Sequence, residues 1–319
     1  MVVHLLWRPI LHQTQRNYNY ETSKRTGPDG PVFHGITLKS FNMLHWQTSR
    51  FLLNLHQPLV MGIVNNTPDS FSDGGKYLGQ QAIRHAEKLV QDGADILDIG
   101  GESTRPGSPA VPLQEELARV LPVVQEAVKL GVPISVDTYK PQVMQAVLDL
   151  GADIINDVWG LRQPGAQDVV AGHAACGVCI MHMHQTPQDM HLRPMEGDAL
   201  PQVRDFLQRQ SAELIARGVA KTRIVWDYGI GFGKSVKQNF ALLARQDELL
   251  GLDFALLAGW SRKGSLGQVT GLPVEQRMVP SVAAALLAME HGARIVRVHD
   301  VAQTRAALSV WQAMQDQQR

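Results

Sequence analysis

Residues 61–75 read MGIVNNTPDSFSDGG, an apolar run that stops at Asn65 and passes into a polar segment rich in glycine. The apolar run begins at Leu59 and is short and β-rich, which is typical of a buried strand. The polar segment is longer than the roughly two to five residues that a hairpin turn needs. Such loops can be plain solvated surface, but they carry function disproportionately often. The stretch therefore predicts a buried strand with a functional loop at its C-terminal end.

Seven more β-rich runs follow, separated by helical patterns. The eight runs are LVMGIV (59–64), DILDIG (95–100), PISVDT (133–138), DIINDV (153–158), GVCIMHM (177–183), RIVWDYG (223–229), FALLAGWS (254–261) and RIVRVHD (294–300). Amphipathic stretches lie at 113–130, 143–150, 203–217, 282–291 and 302–314, and an earlier one ends at Gly93. Eight strands alternating with helices are typical of a (β/α)₈ TIM barrel. The alternative, a doubly wound sheet, usually has fewer units and a phosphate-binding first turn.

Polar residues stand at the C-terminal end of every predicted strand. They are Asn65, Asp98, Asp137, Asn156, His182, Asp227, Ser261 to Lys263, and Arg297 to Asp300. A charged or amide side chain inside a buried strand is unfavourable unless it is paired. Any one of them is explained by a structural pair within the barrel. Because TIM barrels carry their active sites at this end of the strands, the whole set predicts a shared site for a polar ligand.

Composition argues against several classes of protein. Lys plus Arg and Asp plus Glu number 30 each, so no overall charge favours nucleic acid or an acidic membrane. No apolar run reaches the ~18 residues of a membrane span. The first residues, MVVHLLWRP, do not resemble a secretory signal, and two cysteines do not make a disulfide framework. We therefore expect a cytoplasmic protein without a nucleic-acid or membrane partner.

The first 44 residues differ from the rest. They are basic, with acidic residues only at Glu21 and Asp29, and they lack regular periodicity. We expect a disordered N-terminal extension over 1–44, with an organelle-targeting peptide as the alternative. Met43 is a candidate start residue, and 45–319 is the expected folded domain.

Two motifs suggest other chemistry and are weak on inspection. Cys176, Cys179, His182 and His184 have zinc-ligand types, but alternation along a strand points Cys179 and His182 to opposite faces. GIGFGKS (229–235) resembles a phosphate loop, yet it misses both the Walker A pattern and the dinucleotide pattern by one residue. Buried cysteines and a glycine-rich turn are the favoured readings, and an NTPase is a weak alternative.

The ordered set of motifs resembles dihydropteroate synthase, the folate-pathway enzyme that joins 6-hydroxymethyl-7,8-dihydropterin pyrophosphate to p-aminobenzoate. The resemblance runs from about His45 to the C-terminus. Its motifs are NxTPDSFSDGG (65–75), DIGGESTRPG (98–107), SVDT (135–138), IINDV (154–158), MHM (181–183), DxGxGFGK (227–234), SRK (261–263) and RVHD (297–300). Residues 45–58 resemble the family's hairpin at the base of the barrel. Asn66, His184, Gln185, Tyr228 and Gly264 depart from the family pattern.

The resemblance implies a role for each matching residue. Asp98, Asp137, Asn156, Asp227, Ser261 and Lys263 correspond to the pterin site, with Met183 and Phe232 as apolar walls. Arg297 and His299 would offer positive charge to the pyrophosphate, and Asn65 would contact Mg²⁺. Thr104 and Arg105 would close over substrate, while Phe71 and Pro106 would line the p-aminobenzoate position, where sulfonamides compete. A homodimer is implied as well.

The mechanism implied by the resemblance needs no covalent nucleophile. Pyrophosphate leaves first, and a pterin-methyl cation stabilised near Asp137 is then attacked by the arylamine. Asp137, Lys263, Arg297 and His299 are the expected catalytic residues. The alternatives are a pterin-binding methyltransferase domain, whose barrel is related, and a catalytically silent paralogue.

Overall fold

The computed structural model describes residues 45–67, 78–104, 107–186, 189–190 and 193–317. The expected extension over 1–44, with Met43, lies outside these ranges, and so do the loop residues Phe71, Arg105 and Pro106.

Ten strands are present in the described chain. A short antiparallel hairpin consists of β1 (His45–Gln47) and β2 (Leu52–Asn54). The other strands are β3 (Leu59–Asn65), β4 (Ile96–Gly100), β5 (Ile134–Asp137), β6 (Ile154–Asp157), β7 (Gly177–Met181), β8 (Ile224–Asp227), β9 (Ala255–Ala258) and β10 (Ile295–Val298). These eight are parallel and pair in chain order, and β10 closes the ring against β3. The predicted TIM barrel and all eight of its strands are confirmed.

Nine α-helices of the described chain surround the barrel. They are α1 (Leu78–Gln91), α2 (Leu113–Ala127), α3 (Pro141–Asp149), α4 (Ala166–Gly172), α5 (Ala199–Ala216), α6 (Val236–Ala244), α7 (Gly264–Thr270), α8 (Met278–Glu290) and α9 (Val301–Gln315). Gly93 follows α1 with φ of +95°, as its predicted role at the helix end requires. The periodicity missed α4, α6 and α7, which are only 7, 9 and 7 residues long. A capping box between Ser235 and Gln238 was the signal available for α6.

Side chains alternate along each barrel strand between the interior and the helices. Inward residues of β3 to β10 form an apolar floor of Met61, Ile96, Ile154, Cys179, Val225, Ala255, Leu257 and Ile295. Their neighbours, including Val60, Leu97, Ile155 and Leu256, pack outward in a separate cluster with the helices. Because the period is two, the residues two places beyond Ile96, Ile154, Val225 and Ile295 also point inward. Those residues are Asp98, Asn156, Asp227 and Arg297.

The hairpin covers the N-terminal end of the barrel, as the sequence suggests. Trp46 is fully buried and joins the apolar floor, and its Nε1 donates to the carbonyl oxygen of Arg223 at 2.9 Å. Arg50 forms a two-point ion pair with Asp153 next to β6, with Nη2 to Oδ2 at 2.6 Å and Nε to Oδ1 at 2.9 Å. The apolar plug and this ion pair close the end of the barrel opposite the polar strand ends.

Among the described residues, no helix has both the length and the apolar character needed to cross a membrane.

We predict that Trp46→Ala destabilises the protein by about 3–5 kcal/mol, because it leaves a large cavity in the barrel floor. Leu52→Ala in the same hairpin is the control, since Leu52 is 66% exposed and its loss should change the free energy of unfolding by less than about 0.5 kcal/mol. Urea unfolding at one protein concentration measures both. Equal effects would mean that the hairpin does not close the barrel.

Candidate functional site

A cleft of about 1080 Å³ opens at the C-terminal ends of the barrel strands. Predicted site residues in its lining are Asn65, Thr104, Asp137, Phe232, Ser261, Lys263, Arg297 and His299. An adjoining recess, which we term the slot, adds Asn156 and Asp227 and shares Asp137, Lys263 and Arg297 with the cleft. The structure therefore brings ten of the predicted residues to one place.

Arg297 is held between two carboxylates at the junction of cleft and slot. Its Nε donates to Asp98 at 2.6 Å, and its Nη2 donates to Asp137 at 2.8 Å. Burial alone would lower the pKa of Arg297, but Asp98 and Asp137 outweigh it and raise that pKa. Burial raises the pKa of Asp137 to about 7, against the opposing charge of Arg297. Within the described chain, Nη1 of Arg297 makes no hydrogen bond and remains available to a ligand.

Asp98 supports the site from beneath. It has no exposed surface and lines neither the cleft nor the slot. Besides Arg297, its carboxylate accepts hydrogen bonds from Ser135 Oγ at 2.6 Å and Asn156 Nδ2 at 3.1 Å. Asp98 thus orients a cation and an amide rather than facing a ligand, and the contact with Ser135 was not foreseen from the sequence.

The slot combines acceptors, a cation and apolar walls. Asp227 accepts the Gly229 backbone N–H at 2.7 Å, and burial raises the pKa of its carboxyl. Lys263 lies with Nζ 4.1 Å from the Phe232 ring centroid, and burial lowers its pKa to about 8. Gly259 carries no side chain at this wall, and a Cβ there would stand 3.8 Å from Asp227 Oδ2. The slot therefore offers hydrogen-bond acceptors, a cation and an apolar wall to a ligand.

Met183 lies next to the slot rather than in its lining. It is buried in an apolar cluster that includes Tyr139, Val158, Met181 and Phe232. Met181, two residues earlier at the end of β7, is the methionine that lines the slot. The sequence pattern MHM places the two methionines on the same face and does not decide which one reaches the ligand.

The glycine-rich segment after β8 is a turn braced by its own lysine. Lys234 is buried, and its Nζ donates to the carbonyl oxygens of Gly229 at 2.7 Å, His182 at 3.2 Å and Phe232 at 3.3 Å. Burial lowers the pKa of Lys234 to about 7. Gly229 has φ of +68°, and a Cβ there would lie 1.9 Å from the His182 carbonyl oxygen, so only glycine fits. The phosphate-loop likeness of GIGFGK thus reflects a compact turn that presents Phe232 to the slot.

Ser261 and His299 are in direct contact at the ends of β9 and β10. Ser261 Oγ lies 2.9 Å from His299 Nδ1 and also accepts the His299 backbone N–H at 3.1 Å. Burial and the nearby Arg297 and Arg262 lower the pKa of His299 to about 3.

Arg262 belongs to the SRK motif and to the strand-end polar set, although the sequence predicts no individual role for it. It is one of the few residues other than glycine with positive φ, at +57°. Its backbone N–H donates to Ser281 Oγ at 2.8 Å, and its Nη2 donates to Asp300 at 2.7 Å. This left-handed turn lets Ser261 and Lys263, on either side of it, both face the cleft.

The base of the loop that follows β4 is held by a buried ionic cluster that sequence reasoning also missed. Lys140 pairs with both Glu102 and Glu116. Tyr139 Oη donates to Glu102 at 2.9 Å, and Thr138 Oγ1 donates to Glu116 at 2.7 Å. Glu102 lies inside the DIGGESTRPG motif (98–107), so the motif contained the signal but not its partners. Thr104 lines the cleft two residues beyond this anchor.

Asn65 stands at the end of β3 with its side chain toward the cleft. It makes no hydrogen bond through its amide within the described residues, so its Oδ1 is available to a ligand. An amide oxygen is a suitable ligand for Mg²⁺.

The two cysteines belong to different parts of the core. Cys176 packs in the outer cluster with the helices, and Cys179 lies in the barrel floor. Burial raises the pKa of both thiols, which favours an apolar, unreactive role.

Comparison with known proteins identifies the family. The family model described as pterin binding enzyme matches residues 61–299. Dihydropteroate synthase of Neisseria meningitidis serogroup B is 49% identical over 276 residues, 84% of this chain and 97% of that protein.

Solved structures agree with this match. Xanthomonas albilineans dihydropteroate synthase with 4-aminobenzoic acid has a TM-score of 0.78 and 50% identity, over 83% of this chain and 95% of that chain. Burkholderia cenocepacia dihydropteroate synthase complexed with 7,8-dihydropteroate also has a TM-score of 0.78, with 49% identity over 86% of this chain and 98% of that chain. The family model, the curated relatives and the solved structures agree, and the chain belongs to the dihydropteroate synthase family of pterin-binding enzymes.

Proposed function

We propose that this protein condenses 6-hydroxymethyl-7,8-dihydropterin pyrophosphate with p-aminobenzoate to give 7,8-dihydropteroate and pyrophosphate. The observation that carries the proposal is the position of Arg297, which stands at the junction of a polar slot and an open cleft. One substrate can lie with its ring in the slot and its leaving group beside this guanidinium. In this proposal residues 45–319 are the pterin-binding domain, and the cytoplasm is its compartment.

The slot suits the edge of a pterin. Asp137 and Asp227 accept hydrogen bonds from ring N–H and amino groups, while the amide of Asn156 both donates and accepts. Lys263 can donate to a ring nitrogen or carbonyl. The Phe232 ring, 4.1 Å from Lys263 Nζ, supplies an apolar wall. This mixture of donors and acceptors supports recognition of the flat ring by its edge.

The leaving group would lie at Arg297, whose free Nη1 can donate to a phosphate oxygen. Asn65 fits an Mg²⁺ ligand, and the described residues contain no group of three or more His, Cys, Asp or Glu side chains that could hold a metal ion. The remaining ligands would then be water and phosphate oxygens, as is common for Mg²⁺. When bound, the ion would offset negative charge on the pyrophosphate.

The reaction would proceed by dissociation. The bond between the methylene carbon and oxygen breaks, and its electron pair leaves with pyrophosphate beside Arg297. Asp137 stabilises the resulting pterin-methyl cation. The arylamine nitrogen then forms the new C–N bond and releases its proton. Positioned charges do this work without a covalent nucleophile.

A homodimer is supported by an apolar surface on two neighbouring helices. Val279 and Leu287 on α8 are 67% and 51% exposed, and Val310 on α9 is 73% exposed. The helices α8 and α9 pack against each other. Exposed apolar side chains on two packed helices are of the kind that a protein interface covers, and a second copy of the chain is the proposed occupant.

Two other functions would use the same slot. A pterin-binding methyltransferase domain would share Asp137, Asn156 and Asp227 but has no use for a pyrophosphate pocket. A silent paralogue would bind the pterin without turnover. Purified protein incubated with the pterin pyrophosphate, Mg²⁺ and p-aminobenzoate separates these cases. We expect release of pyrophosphate with stoichiometric dihydropteroate, and binding of both substrates without product would refute the synthase.

We predict that Arg297→Ala weakens binding of the pterin pyrophosphate on the order of 100-fold, the value of charge-assisted hydrogen bonds. Arg297→Lys should recover part of the loss, because it keeps the charge and loses the planar fork. Free pterin should lose far less, and Arg204→Ala on α5 is the control. Calorimetric titration measures both ligands, and equal losses for the two would contradict the role given to Arg297.

We predict an acidic limb in the pH dependence of kcat/KM. Burial raises the pKa of Asp137 to about 7, so the carboxylate needed beside the cation is present above that pH and lost below it. Activity should therefore fall by up to about tenfold per pH unit as the pH drops from 7 toward 5. Asp137→Asn should have low activity without this limb.

Asp157→Asn is the matched control for this pH dependence. The pKa of Asp157 is also raised by burial to about 7, but its carboxylate accepts backbone N–H groups of Trp159 and Leu161 and does not line the slot. The limb should persist in that variant. A limb that persists in Asp137→Asn would assign it to another group.

We predict that Leu287→Glu shifts the protein toward a monomer, because a charge within the apolar surface on α8 and α9 cannot be buried without a partner. Ile215→Glu on α5 is the control, since Ile215 is 43% exposed and lies on another helix. Light scattering after size-exclusion chromatography measures the mass. A wild-type monomer, or a dimer that survives Leu287→Glu, would argue against this surface.

A further inference from the structure

The contact between Ser261 and His299 limits how the hydrogen atoms of the pair can be arranged. A serine hydroxyl has one hydrogen and two lone pairs. One lone pair accepts the His299 backbone N–H at 3.1 Å, and the same oxygen lies 2.9 Å from His299 Nδ1. Among the described residues, Nδ1 is the acceptor within reach of the Ser261 hydrogen. If Nδ1 carried a hydrogen instead, the hydroxyl hydrogen of this buried serine would be left without a protein partner.

We propose that Ser261 donates to Nδ1 and thereby fixes His299 as a neutral imidazole with its hydrogen on Nε2, directed at the cleft. Ser261 is then a positioning residue, and His299 is a neutral hydrogen-bond donor to the leaving group rather than a source of positive charge. The hydrogen bond at one ring nitrogen sets the state of the other. The catalytic part of this inference rests on the proposed synthase function, whereas the tautomer itself does not.

The surroundings of the imidazole favour its neutral form. Arg297 on β10 and both Arg262 and Lys263 after β9 oppose a positive charge on His299, and Asp300 favours one. Asp300 is already paired with Arg262, with Nη2 to Oδ1 at 2.7 Å. Burial acts in the same direction as the three cations and lowers the pKa of His299. Arg297 would supply positive charge to the leaving group, and His299 would supply an oriented, neutral hydrogen-bond donor.

The fold holds Ser261 in place for this role. The left-handed Arg262 is fastened by its backbone N–H to Ser281 Oγ at 2.8 Å and by its guanidinium to Asp300. The ends of β9 and β10 are therefore joined twice, by Ser261 to His299 and by Arg262 to Asp300. Two adjacent cross-links leave Ser261 little freedom to turn away from the imidazole.

The test uses the full chain without any ligand, labelled with ¹⁵N in the histidine rings. Two-bond ¹⁵N–¹H spectra distinguish the two tautomers and the imidazolium, and the signal missing from His299→Gln assigns His299 among the 12 histidines. We expect a protonated Nε2 and a bare Nδ1 from pH 6 to 8. A hydrogen on Nδ1, or an imidazolium at pH 6, would overturn the proposal.

Two isosteric variants isolate the hydroxyl. Ser261→Thr retains it and should keep the wild-type tautomer, whereas Ser261→Val removes it and should give a mixture of tautomers. Ser265→Ala is the control, because Ser265 is buried nearby and bonds Asn239 rather than His299. The other histidine signals report whether each variant is folded. Identical His299 spectra in the Thr and Val variants would remove Ser261 from the role.

Binding of inorganic pyrophosphate with Mg²⁺ tests the consequence. Ser261→Val should weaken it roughly 3- to 10-fold relative to Ser261→Thr, the value of one misdirected neutral hydrogen bond. His299→Gln, whose amide nitrogen can replace Nε2–H, should bind better than His299→Asn. Tighter binding by His299→Lys than by His299→Gln would show that charge is what matters there. The two proposals can fail separately. The ring spectra test the tautomer without any substrate, and the turnover assay tests the synthase reaction whatever the tautomer of His299.

Discussion

The cation of Arg297, buried between Asp98 and Asp137, is the interaction on which the rest of the site depends. Removing a charge from water is costly unless partners satisfy it, and removing one partner leaves the other uncompensated. The structure meets this constraint with contacts of 2.6 Å to Asp98 and 2.8 Å to Asp137. Asp98 in turn accepts from Ser135 and Asn156, so a single buried carboxylate links four strands of the barrel.

Barrel geometry explains why this polar network does not destabilise the fold. Four strands, β4, β6, β8 and β10, each place an apolar residue in the floor and a polar one two positions later on the same face, as in Ile96 and Asp98 or Ile295 and Arg297. Trp46 closes the floor from below, which keeps water out of that end. The residues that stabilise the barrel and those that line the site thus occupy successive layers of the same strands.

The sequence predicted the barrel because its two signals are local. Short β-rich runs are visible one at a time, and a polar residue that interrupts the end of such a run is visible as well. What it could not give were contacts between distant residues. Two examples are the hydrogen bonds of Lys234 to three carbonyl groups and the ion pairs of Lys140 with Glu102 and Glu116. Both form only where separate loops meet in space. The burial of Asp98 beneath Arg297 and Asn156 likewise depends on contacts between strands rather than on residue type.

Two residues of the site with left-handed backbone, Gly229 and Arg262, show what the fold must supply so that side chains can converge. Position 229 requires glycine, because φ is positive and the His182 carbonyl leaves no room for a Cβ, and the turn brings Phe232 to Lys263. Arg262 takes the left-handed conformation without being glycine, which is uncommon and needs support from its surroundings. That support is Asp300 and Ser281.

Charge balance then explains why Arg297 begins the reaction cycle bound to Asp137. In the cleft, Asp227 attracts the charge of Lys263. Arg262 is paired with Asp300, and Arg297 is paired with both Asp98 and Asp137. In the proposed reaction, the pyrophosphate would bind the guanidinium and the pterin edge would compete for the Asp137 carboxylate. Because one substrate carries both groups, its pterin edge would take the place of Arg297 at Asp137 while its pyrophosphate would accept from Arg297, which Asp98 continues to hold. Free pterin alone would part Asp137 from Arg297 without giving the guanidinium a new partner, which favours the intact substrate over its separate parts.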